Sequence, residues 1–120
     1  MSKSGDWKIE FYRDARGRSP VEEFLRTLDG KMRAKVARSV SLLEELGTRL
    51  GMPHSRPVRG YRFSELRVQT GGNIVRVFYF ARAGRRIVLL HAFAKRTQRT
   101  PVRELVIASG RWSEAVRNSA

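Results

Sequence analysis

From Arg62 onward the apolar residues recur with a period of two, and glycines break the pattern into three runs: Arg62 to Thr70, Asn73 to Ala81 and Arg86 to Lys95. A period of two belongs to a pleated strand with one buried face, and Gly-Gly tolerates the positive φ angles of a tight hairpin. Few folds accept three such runs joined at Gly71-Gly72 and around Ala83-Gly84. They predict an antiparallel meander whose register follows by counting. A two-residue turn at Gly71-Gly72 sets Thr70 opposite Asn73, Val68 opposite Val75 and Leu66 opposite Val77, and these pairs belong on a helix-covered face. The other parity sets Gln69 opposite Ile74 and Arg67 opposite Arg76. Closing the second hairpin with two or four residues around Ala83-Gly84 sets Arg76 opposite His91, with Leu89, Phe93 and Lys95 as neighbours on that face. Counting therefore gathers Arg67, Arg76, His91, Phe93 and Lys95 on one side of the sheet. Two guanidinium groups directly opposite each other repel. A fold tolerates that where an anion sits between them.

The remaining elements are read from periodicity and caps. Trp7 to Tyr12 alternates and is aromatic-rich, as a first strand would be. Ser19-Pro20-Val21-Glu22 is a capping box, followed by Val21, Phe24, Leu25 and Leu28 on one face of a short helix. Asp29-Gly30 interrupts it, and Met32, Val36, Val40, Leu43, Leu46 and Leu50 then keep helical spacings of three and four. Gly47 to Gly60, with Pro53 and Pro57, reads as an irregular connection. Thr100-Pro101 offers an N-cap and a first-turn proline to a last helix carrying Val102, Leu105, Val106 and Trp112 on one side, with Gly110 marking its end or a kink. The order β-α-α-β-β-β-α predicts one α+β domain over residues 1–120, an antiparallel sheet with the helices on one face.

Charge narrows the function. Lys and Arg number 25 against 11 Asp and Glu, a formal charge of +14. The excess is concentrated: residues 1–45 hold ten basic and eight acidic side chains, whereas residues 46–103 hold thirteen basic ones and a single acid, Glu65. A basic stretch of this kind fits a phosphate-rich partner. The absence of cysteine excludes thiol catalysis and cysteine-ligated metal or cluster sites. With two histidines the expectation is no metal and no other cofactor. No apolar run reaches the roughly 18–20 residues of a membrane span, and the polar start is no signal peptide, so a cytoplasmic protein without membrane contact is expected.

Three strings resemble one known family. Phe63-Ser64-Glu65-Leu66-Arg67-Val68 resembles the L-x-E-L-R strand of the RelE/HigB toxins, and Ile74 to Phe80 resembles their Y-R-V-F-Y-F strand. Leu89 to Pro101 is similar to their L-L-H-x-F-x-K-K-T-x-x-T-P segment, with Arg96 where lysine is usual. The likeness runs from Trp7 to Ala108 and points to the HigB-like, phage-derived branch. It implies the toxin of a type II toxin–antitoxin pair, a metal-independent endoribonuclease cutting mRNA on the ribosome. Arg67 then matches the arginine that stabilises the scissile phosphate, and Arg76 and Lys95 match basic positions of the catalytic face. Arg96, Thr97 and Gln98 stand where the RelE tail provides a tyrosine soon after the lysine, so the proton-transfer pair stays open. The resemblance also implies a cognate antitoxin, usually a helix-turn-helix protein, in a hetero-oligomer with the toxin. Charge complementarity calls for an acidic contact surface on it, and the charge-balanced helices at Pro20–Leu28 and Met32–Leu46 are the expected dock.

The chemistry asks little of a protein. The RNA 2′-hydroxyl attacks the adjacent phosphate to give a 2′,3′-cyclic phosphate and a 5′-hydroxyl; the enzyme aligns the attack, moves two protons and stabilises the added charge. Arg67 and Arg76 suit charge stabilisation. Lys95 among arginines, His54 or His91 can move protons. Arg56, Phe93, Arg96 and Arg99 are the expected substrate contacts. Two readings compete: a ParE-like gyrase inhibitor of the same fold, and a non-catalytic nucleic-acid-binding module.

Overall fold

The structure, a computed structural model, describes residues 6–95 and 99–118. Its elements are β1 (Lys8–Phe11), α1 (Pro20–Arg26), α2 (Gly30–Leu46), β2 (Ser55–Pro57), β3 (Ser64–Thr70), β4 (Asn73–Arg82), β5 (Arg86–Lys95) and α3 (Val102–Arg117), with a 3₁₀ turn at Gly47–Arg49. The five strands form one sheet in the order β1-β5-β4-β3-β2. The α+β class and the element order are as the sequence predicts, except that the connection after α2 contributes the short strand β2. With one proline and no apolar alternation, β2 has no strand signal of its own; it exists because β3 offers it an open edge.

Local signals place the two N-terminal helices. The Ser19 hydroxyl accepts from the Glu22 amide at 3.4 Å, and Pro20 opens α1. The Asp29 carboxylate caps α2 by accepting from the Met32 amide at 2.8 Å. At the far end Gly47 takes φ +54°, and a Cβ there would overlap the Trp7 indole. Both helices cover one face of the sheet. Val21, Met32, Val36 and Leu43 are buried there against Leu66, Val68, Val75, Val77, Tyr79, Ile87 and Leu89.

Two expectations about the layers are corrected. β1 joins the edge of the sheet parallel to β5, so the sheet is mixed rather than antiparallel. The helices do not share one face: α3 packs on the opposite side, where Ala108, Leu105, Trp112 and Ala115 meet Phe63, Phe78, Val88, Leu90 and Phe93. The reason lies on β4 and β5, whose second face is also aromatic and apolar and needs a cover. Residues 105, 108, 112 and 115 keep a helical stripe, whereas Val102 and Val106 fall off it and stay 71% and 63% exposed. Pro101 is the N-cap of α3 rather than its first helical residue, and the helix runs through Gly110 to Arg117.

The β3–β4 register is the counted one at every pair, Arg67 opposite Arg76 included. The β4–β5 register differs from the counted one in two steps of the same direction. The loop holds three residues, since Arg82 pairs with Arg86. A bulge then follows: Tyr79 pairs with Leu89 but Phe78 pairs with His91, leaving Leu90 as the extra residue. Each step shifts the pairing by one. Together they shift it by two and restore the parity, so Arg76 faces Phe93 rather than His91. Leu89 falls on the α1/α2 face instead of beside Arg76.

Candidate functional site: a cationic cleft on the sheet

Register sets the site. On the face that α3 partly covers, Arg56 of β2 lies opposite Glu65 of β3, Arg67 opposite Arg76 of β4, and Ile74 opposite Lys95 of β5. Four adjacent strands thus bring one cation each to the same place. Burial first, and then the positive charges of Arg76, Arg56 and Arg67, push the Lys95 ammonium down to about 8. Lys95 is nearly buried, and among the described residues its Nζ has no hydrogen-bond acceptor; the same holds for Nε of Arg67. Buried donors left without an acceptor are costly and rare in a finished core. Here they lie within a cluster of cations, since Arg76, Arg56 and Arg67 all act on the Lys95 ammonium.

Arg76 has a different place from the one the sequence predicts. It is fully buried, and its guanidinium pairs with the equally buried Glu65 carboxylate. The anion required between the two facing arginines is thus supplied by the protein itself. Sequence reasoning missed this role, although the signal was present: Glu65 is the one acid between residues 46 and 103, has the parity of Arg67 and lies diagonal to Arg76. Arg76 therefore acts on the cleft as a fixed positive charge behind Lys95, not as a side chain on the open surface.

The other sequence candidates separate. His54 is exposed, and its carbonyl accepts from the Arg67 amide at 2.9 Å, which seats it at the sheet edge directly beside Arg67. It shares a small concavity with Arg56, Glu65 and Arg67. His91 is instead tied under α3. Its Nε2 lies 2.6 Å from Glu104 and its Nδ1 3.2 Å from Arg111. Arg111 can only donate, so Nδ1 accepts and the proton sits on Nε2, donated to Glu104. Burial holds the His91 pKa below its ordinary value. Arg111 also donates to the carbonyl of the bulged Leu90 at 3.0 Å. Phe93, expected as a contact for a base, is buried, with its ring stacked on His91 and edge-on to Phe78. It is a core residue. Arg99 is exposed beyond the end of β5, and Arg96 lies outside the described residues. Among the described residues no group of three or more His, Cys, Asp or Glu is placed to hold a metal ion, and no helix is long and apolar enough to cross a membrane.

Fold and site together define a class: a small, strongly basic α+β domain with a cluster of cations on a partly open sheet face. Residues 23–113, more than half of the chain, match the model of the phage-derived Gp49-like protein family (DUF891). The chain belongs to that family, which is associated with toxin–antitoxin systems, and an antitoxin partner follows from the association. No curated protein matches the chain.

Proposed function

We propose that the protein is the toxin of a toxin–antitoxin pair and acts as an endoribonuclease on ribosome-bound mRNA. The observation that carries this reading is the pair of buried donors, Lys95 Nζ and Arg67 Nε, left without acceptors beside a cluster of arginines. A phosphodiester with a charge-rich transition state fits such a site better than a neutral ligand does.

In the proposed reaction the 2′-oxygen forms a bond to phosphorus as the bond from phosphorus to the 5′-oxygen breaks. Arg67 and Arg56 hold the non-bridging oxygens. Lys95 and His54 are the proton-transfer pair. Lys95 has its pKa brought down to about 8, and His54 lies beside Arg67 at the open sheet edge. One removes the 2′-hydroxyl proton and the other protonates the departing 5′-oxygen. His91 is left out because both of its ring nitrogens are engaged. The ribosome would order the mRNA across the cleft. The antitoxin of this reading is a helix-turn-helix protein with an acidic contact surface, which suits a chain at +14.

The test is a cell-free translation reaction followed by primer extension on the mRNA. Codon-phased cuts are expected from the wild type and none from Arg67→Ala that remains folded. Lys95→Arg keeps the charge and loses the titratable ammonium; it is expected to bind and to cut at least tenfold more slowly, in line with the roughly 10²–10⁴-fold worth of a positioned proton-transfer group. Double-strand DNA breaks in cells without mRNA cuts would replace this reading with gyrase inhibition. Tight RNA binding with neither outcome would leave a binding module.

A further inference from the structure

Where β2 ends, the sheet edge opens into a groove of about 560 Å³ that extends away from the cationic cluster and shares Arg56 with it. Met52 and Tyr61 line it and are 71% and 41% exposed. The exposed large apolar side chains on the described residues number six; the other four are all on α3, so these two stand together across one concavity. The Tyr61 ring is backed by Phe63, with centroids 5.3 Å apart, which stiffens it as a platform. Arg56 and Arg62 also line the groove, and no lining residue is acidic. The Arg62 guanidinium is held over the Trp112 ring, 6.0 Å from its centroid. The hydroxyls of Ser55 and Tyr79, hydrogen-bonded to each other, give the groove a polar lining.

The groove is not isolated. Met52, Ser55 and Arg56 line it and also line the small concavity holding His54, Glu65 and Arg67. A chain with its phosphate at Arg67 could therefore continue past Arg56 into the groove. A flat exposed ring beside two guanidinium groups, with no carboxylate lining the groove, matches a single-stranded nucleic acid: bases stack, and phosphates meet arginine. A peptide partner for a chain of this charge would itself be acidic and would find arginines, but it would gain nothing specific from a tyrosine ring with a rigid backing.

We propose that the groove between Met52 and Tyr61 is a nucleotide subsite, in which one unpaired base of the RNA stacks on Tyr61 while Arg56 and Arg62 hold the flanking phosphates. This rests on the reading of the cleft as an RNA-cleaving site, which it extends by one nucleotide.

The experiment uses the full chain and a fluorescein-labelled single-stranded oligoribonucleotide, with affinity read by anisotropy at several salt concentrations. Tyr61→Ala is expected to weaken binding roughly tenfold, whereas Tyr61→Phe keeps the wild-type affinity because stacking needs only the ring. The salt slope is expected to stay unchanged in Tyr61→Ala and to become shallower in Arg62→Gln, which removes a phosphate contact. An abasic nucleotide at one position should weaken the wild type as Tyr61→Ala does, and the two changes should not add. Affinity within twofold of wild type in a folded Tyr61→Ala protein, or a loss in Tyr61→Phe as large as in Tyr61→Ala, overturns the subsite. The cell-free translation and primer-extension assay, with ribosomes present, is run on the same protein preparations. Cutting by the wild type with no Tyr61 effect removes the subsite and leaves the nuclease; Tyr61-dependent binding without any cutting removes the nuclease and supports the subsite.

Discussion

Replacing Glu65 by Gln keeps its shape and removes one charge from the most deeply buried ion pair on the described residues. The side chains of Arg76 and Glu65 are 0% and 5% exposed. Water cannot take over the role of the carboxylate, and the guanidinium is left facing the charges of Arg56 and Lys95. Breaking a buried pair from one side costs about 3–5 kcal/mol. A chain of this length is expected to have a total stability of about 6–18 kcal/mol, so the variant should still fold at 25 °C with a sharply reduced margin. With a urea slope of roughly 2 kcal/mol per molar, the unfolding midpoint should fall by about 2 M. The control removes both charges. Glu65→Leu combined with Arg76→Met removes both charges of the pair and is expected to stay within about 1–2 kcal/mol of wild type. Urea titrations followed by tryptophan fluorescence measure all three proteins. A loss below about 1 kcal/mol in Glu65→Gln, or a double variant as unstable as the single one, would refute the view that Glu65 is the internal counter-ion of Arg76.

Gly47→Ala forces a side chain into the Trp7 indole at a left-handed φ and should cost about 2–4 kcal/mol, with a shift in Trp7 emission seen in the same titrations. Lys95 titrates near 8 when folded and near 10.5 when unfolded, so the unfolded chain holds the extra proton between those values. Stability should therefore rise with pH across that window in the wild type more than in Lys95→Met, as checked by paired urea melts at about pH 7.5 and 9.5. His91 is depressed below its ordinary 6.5, so acid favours the unfolded chain, which takes up the proton first. Stability should fall as pH drops below about 6.5, His91→Gln should blunt that fall, and an NMR titration of the ring should give a midpoint below 6.5.

Much of the site was legible because a hairpin is a local object. A two-residue turn and a side-chain period of two are enough to set Arg67 opposite Arg76, and both lie within ten residues of each other in the chain. The caps at Ser19 and Asp29 and the stripe of α2 are equally local, since each joins residues three or four apart. Gathering Lys95 with the arginines also came from counting, yet it held only because a three-residue loop and the bulge at Leu90 shift the register in the same direction and sum to two. Nothing local in Leu89-Leu90-His91 announces that bulge. It is stabilised by Arg111, twenty-one residues away on α3, through the Leu90 carbonyl. Tertiary packing likewise decided which candidates face the cleft. Putting α3 on the second face buries Phe93 and ties His91 to Glu104 and Arg111, while the edge left open beyond β2 keeps His54, Arg56 and Tyr61 accessible. Residue type and spacing determine which side chains share a face; whether a charge on that face meets solvent, a ligand or an internal partner such as Glu65 depends on what packs over it, and only the folded chain decides that.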